Sequence, residues 1–130
     1  MAGSFTDYLE DKILKHVFTN TAYTSPTTIY VGLFTVAPTD TGGGTEVSGS
    51  GYARKSGSFT VSGTGTLATN SAAIEFDAAT GSWGTIVAIA VFDASTSGNM
   101  LAWADLTTSK AIATGDVLRI PTGDLDITLS

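Results

Sequence analysis

Cysteine is absent from this 130-residue chain, which excludes a disulfide framework, a thiol nucleophile and a zinc-thiolate site. Positive charge is scarce. Six Lys and Arg stand against twelve Asp and Glu, for a formal net charge of −6, and a surface of that sign repels the phosphates that a nucleic-acid binder must neutralise. Nucleic acid is not an expected partner. Long apolar runs are missing as well: the longest, Ile86 to Phe92, falls far short of the about 20 residues that span a bilayer. The opening MAGSFTDYLEDK has neither the basic nor the apolar region of a secretory leader. The expectation is a soluble protein made in the cytoplasm, with no membrane partner.

Histidine occurs once, at His16, so any Ser-His-Asp arrangement would have to use it. It falls on the polar flank of a predicted helix among charged neighbours, where a solvated helix-end role accounts for it. Asp116, Asp124 and Asp126 carry oxygen ligands of the kind calcium takes. They lack the D-x-[DN]-x-[DN]-G spacing, and a recurring TGD at strand openings is ordinary turn chemistry. In GSGYARKS, Arg54 stands where a phosphate-cradling loop needs glycine before its Lys-Ser pair, and GTGTLA has two of the three glycines of a dinucleotide loop. Most carboxylates lie in turns or in the first helix, away from any cleft the sequence defines. No enzyme, cofactor or metal site is expected.

What is present is one helix followed by a long period-two region. Phe5, Leu9, Ile13 and Val17 recur every four residues with Tyr8 and Leu14 beside them, and this apolar stripe predicts a helix over about 5–18 packed against a sheet. Ser4 is placed to cap it, and Asp7, Glu10 and Asp11 suit its positive end, as Lys12, Lys15 and His16 suit the other. From about residue 27 the pattern alternates. TIYVGLF, SFTVSG, AAIEFD, TIVAIAVFD, NMLAWADL, KAIAT, VLRIP and LDITLS read as strands about 8 to 12 residues apart with Gly, Thr and Asp turns between, the signature of a sandwich or barrel. The size suits one domain, 1–130, without metal or disulfide support.

Two segments stand out. In TIVAIAVFD, Ile86, Ala88, Ala90 and Phe92 alternate with Val87, Ile89 and Val91, giving a strand apolar on both faces, as a covered central strand is. In MLAWADL, Leu101, Trp103 and Asp105 fall on one side and Met100, Ala102, Ala104 and Leu106 on the other. Trp103 suits either core or interface. The stretch 40–51 is too long and glycine-rich for a minimal connection, and such loops are commonly functional. Thr45, Glu46 and Val47 within it, with Tyr52 and Arg54 directly after it, are the candidate partner-contact residues, since Tyr and Arg are enriched at interface hot spots. The alternative is a core Tyr52 and a solvated Arg54.

The blocks SFTDYLEDKILKHVFTNTAYTSPTTIYVGLFT, GTEVSGSGYARKS, NSAAIEFDAATGSWGTIVAIAVFDA, LAWADLTTSKAIATGD and GDLDITLS, in that order, resemble a family of small tailed-bacteriophage virion proteins. The likeness covers nearly the whole chain. It implies a structural role in the virion, as a head decoration (cement) protein or as a tail or tail-fibre component, and it brings no catalytic motif. A fibre shaft needs repeats or heptads, and the chain has neither, while its 14% charged residues suit a static particle surface. The expectation is therefore an antiparallel, jelly-roll-like β-sandwich of about eight strands with one N-terminal helix, acting in capsid decoration. The partners implied are the major capsid protein or copies of itself. The alternative is a tail or fibre component meeting tail proteins or a host surface glycan.

Overall fold

Ile86 and Ile89 pack into the same core, although residues three apart on an uninterrupted strand face opposite ways. The cause is a bulge. In the computed structural model, which describes residues 2–63 and 65–128, the strands Gly84–Phe92 and Met100–Ile112 pair antiparallel. Ile86 lies opposite Lys110 and Ala88 opposite Asp105, so Val87 alone faces the excursion 106–109, and side chains change faces across it. Ile86, Ile89 and Val91 enter the main core, while Ala88, Ala90 and Phe92 join Phe34 on the other side. The expected grouping of Ile86 with Ala88 is corrected accordingly. A second irregularity, between Val91 and Phe92, puts Met100 with Trp103 rather than with Ala102.

In chain order the described elements are β1 (Ala2–Phe5), α1 (Asp7–Phe18), β2 (Ile29–Val36), β3 (Thr45–Glu46), β4 (Lys55–Gly57), β5 (Phe59–Val61), β6 (Leu67–Asn70), β7 (Ile74–Glu75), β8 (Gly84–Phe92), β9 (Met100–Ile112), β10 (Arg119–Ile120) and β11 (Asp126–Thr128). Nine of the strands form one sheet in the order β3-β2-β8-β9-β1-β11-β6-β5, with β4 also on β2, and β7 and β10 form a separate pair. Ser58 alone separates β4, bonded to β2, from β5, bonded to β6. One short stretch thus joins the two ends of the sheet and folds it over a shared core. Val31 and Leu33 of β2, Ile89 and Val91 of β8, Ala102 and Ala104 of β9, Phe76, Leu118 and Leu125 meet there. The fold is mainly β and sandwich-like, as expected. Its strands are more numerous than eight because several are pieces of two or three residues, and one pairing, β1 with β11, is parallel.

The helix departs from its expected limits. Residues 2–5 are the strand β1, inserted between β9 and β11, so the cap moves from Ser4 to Thr6. The buried Thr6 hydroxyl donates to the Met100 carbonyl at 2.6 Å and lies 3.4 Å from the Leu9 amide, tying the helix start to β9 as it caps it. Asp7 N–H bonds the Asp40 carbonyl at 2.9 Å. The predicted stripe fails as a core face. Phe5 belongs to β1, Leu9 and Ile13 are half-buried, and Val17 is exposed, because the helix leaves the sheet toward its C-terminal end. No side chain of α1 is fully buried.

Candidate functional site

Gly32, in the middle of β2, leaves a space that three other groups use. A Cβ there would lie 2.7 Å from Glu46 Oε2, 3.1 Å from the Tyr52 hydroxyl and 3.2 Å from the Phe92 ring. An interior strand glycine marks this kind of close approach. Over it, the Arg54 guanidinium donates from Nε to Glu46 Oε2 and from one terminal nitrogen to Oε1, each at 2.8 Å. The other terminal nitrogen bonds the carbonyls of Ala94 at 3.0 Å and Ser97 at 2.8 Å. Its carbon stands 3.5 Å from the centre of the Phe92 ring. One arginine thus locks β3 to the tip of the β8–β9 hairpin.

Tyr52 completes this node from the core side. Its hydroxyl donates to Glu46 Oε2 at 2.6 Å and accepts the Leu33 N–H at 2.9 Å. Its ring lies parallel to Phe76 and edge-on to Trp83, at centroid distances of 6.3 and 5.4 Å. Burial first, and the neighbouring Glu46 second, raise the Tyr52 pKa far above that of an ordinary phenol. Trp83 in turn donates its indole N–H to Ser50 at 2.8 Å, so the turn before Tyr52 is held too.

The candidate contact residues are therefore brought together, largely facing inward. Thr45 is exposed, but Val47 is in the main core and Tyr52 packs against it. Arg54 has 8% of its side chain accessible and Glu46 24%. Arg54 is neither solvated nor free to anchor a partner. The stretch 40–51 also proves to be built rather than slack: β3 pairs with β2, Thr39 bridges Gly42, and Gly42, Gly43 and Gly44 all take positive φ. Sequence reasoning missed Gly32, Phe92, Trp83 and Asp40. The glycine inside an otherwise β-branched and aromatic run was the available signal for the first.

Beside the node lies an open recess of about 630 Å³, bounded by the start of α1, the 40–44 turn and the hairpin tip. Its floor includes Phe34 and Phe92, which stack with centroids 6.1 Å apart. These rings are only 3% and 6% exposed, so they offer no open platform for stacking a sugar. Asp40 on the rim takes the Trp103 indole N–H at 2.9 Å, which fixes Trp103 between the outer cluster and this edge. His16 is exposed at the far end of α1, its Nδ1 accepting the Tyr23 N–H at 3.1 Å. Asp116 accepts the Ala113 N–H at 2.9 Å, a turn contact, and the described residues include no cluster of His, Asp and Glu suited to a metal ion. The geometry is that of a rigidly braced surface.

No curated protein matches the chain. Residues 4–128 do match the profile of a family described as Podophage GP4 fiber I protein gp80, in agreement with the resemblance carried by the sequence blocks. That match takes in both sheets, the helix and the whole Arg54 node, and the chain accordingly belongs to this family of phage virion structural proteins.

Proposed function

We propose that this protein is a fibre component of a phage particle, contributing a compact globular module rather than a length of shaft. The carrying observation is the family description, which names a fibre protein and applies across residues 4–128. Supporting it, the chain ends of the sheet are drawn together by the β4–β5 stretch, and the hairpin tip, the 40–51 segment and α1 are tied to one another by directional hydrogen bonds. A module so braced transmits load without rearranging. Capsid decoration, the reading the composition favours, draws nothing from that family description. Electron microscopy of particles carrying a gold-labelled copy of the protein tests the proposal. Label at the fibres is expected, and label confined to the head surface would return the decoration role.

A further inference from the structure

Leu14, Val17 and Phe18 are 57%, 62% and 77% exposed, and at i, i+3 and i+4 they form one contiguous patch on the outward side of α1. A helix of 12 residues is marginal without an apolar face packed on something. Here the face turned to the sheet is only half-buried and the outward one is bare. Charge indicates what covers it. Beside the patch runs the row Asp7, Asp11, Lys15, each four residues from the next, and within it Lys15 bonds Asp11 at 3.1 Å. Read along the helix, the row goes from acid to base.

We infer that α1 is a self-association surface, on which two copies of this chain pair with their helices antiparallel. A parallel copy sets Asp11 against Asp11, a like-charge contact. An antiparallel copy sets Lys15 against Asp11 of the second copy, and the two internal pairs close into a ring of four alternating charges while Leu14, Val17 and Phe18 meet across the axis. Such a contact is isologous, as two-fold dimers require. One helix face buries less than the about 1,200 Å² total of a standard interface. The pairing is therefore weak in solution and gains strength where copies are held close together on a particle. It is independent of where on the particle the protein sits.

Sedimentation equilibrium of the full chain over a concentration series reads this directly. The expected result is a monomer–dimer equilibrium, weakened at least tenfold by Phe18→Ser or by Val17→Ser, two exposed positions whose change leaves the thermal melt near that of the parent. Lys15→Asp also weakens it, and adding Asp11→Lys to that variant restores it, because the ring of charges is rebuilt with signs exchanged. Orientation follows from thiols, of which the chain has none of its own. Oxidising an equal mixture of Asp11→Cys and Lys15→Cys chains gives mostly the mixed disulfide if the helices are antiparallel. A chain still monomeric at about 1 mM, where even a millimolar association shows, overturns the inference. So does a dimer indifferent to Phe18→Ser and Val17→Ser, or a mixture that yields only like-with-like disulfides.

Discussion

Arg54 and Glu46 hold each other through two hydrogen bonds of 2.8 Å, with the guanidinium laid on the Phe92 ring at 3.5 Å. Fork geometry, planarity and stacking all belong to arginine and not to lysine. Arg54→Ala strands the Glu46 carboxylate beside the Tyr52 hydroxyl and frees two hairpin carbonyls, and should cost about 3 kcal/mol. Arg54→Lys recovers less than half of that. Urea denaturation of both variants and of the Arg54→Ala, Glu46→Ala double variant is the check, with a coupling of at least about 1 kcal/mol expected between the two sites. Additive losses would mean the pair is incidental.

Gly43 and Gly44 test how far the 40–44 turn is specified by space rather than by φ alone. Both take positive φ, but a Cβ on Gly43 meets nothing within 4 Å, whereas on Gly44 it would lie 2.6 Å from the Val36 carbonyl oxygen and 2.8 Å from Pro38 N. Gly43→Ala should cost about 1 kcal/mol, the strain of a left-handed alanine. Gly44→Ala adds a clash with main chain that no rotamer relieves, so its loss should be clearly larger. Equal midpoints in denaturant would remove the spatial argument.

The elements with the strongest local pattern were legible in the sequence. The body of α1, β2, and the β8–β9 pair follow from periodicity, and the turn read at TTSK coincides with the 106–109 excursion that interrupts β9. What stayed hidden depends on distant partners. β1 carries no alternation to announce it and exists because β9 and β11 lie on either side. The bulge that sends Ile86 inward is settled by the packing of both strands, not by the composition of either. Arg54 read as surface because its acceptors at Ala94 and Ser97 are about 40 residues away in sequence. The same holds for Thr6, whose hydroxyl is spent on Met100.

Asn70 is fully buried and spends every polar atom of its side chain. Its amide nitrogen donates to the carbonyls of Ala72 and Pro121, and its oxygen accepts the Leu125 N–H, each at 2.9 Å. It pins the end of β6 to the turn that leads into β11. Asn70→Leu leaves three buried groups without partners and should cost about 3 kcal/mol or more, at about 1 kcal/mol for each orphaned group. Asn70→Asp keeps the acceptor but sets a carboxylate against two carbonyl oxygens, which raises its folded pKa. Its deficit relative to the parent should therefore widen from pH 4 to pH 7, and a deficit independent of pH would show that the site is open to water.

The raised Tyr52 pKa makes alkaline stability a reporter of the node. The phenol is buried, donates to Glu46 and accepts from Leu33, so in the folded chain it keeps its proton well past the ordinary value of 10.0. In the unfolded chain it ionises near that value. Above it the unfolded state binds one proton fewer than the folded state, so the stability that Tyr52 contributes is intact below about pH 10 and declines as pH rises further. Tyr52→Phe removes this dependence while costing about 1 to 2 kcal/mol at neutral pH, since the Leu33 N–H and Glu46 lose a partner. Denaturation of parent and variant at pH 7, 9, 10 and 11 should show a constant gap up to about pH 9 that narrows beyond it. Ultraviolet titration should also show one of the four tyrosines ionising only as the chain unfolds. A gap unchanged at pH 11 would mean that Tyr52 titrates as an exposed phenol and that the bonds joining β2, β3 and the hairpin are not maintained in solution.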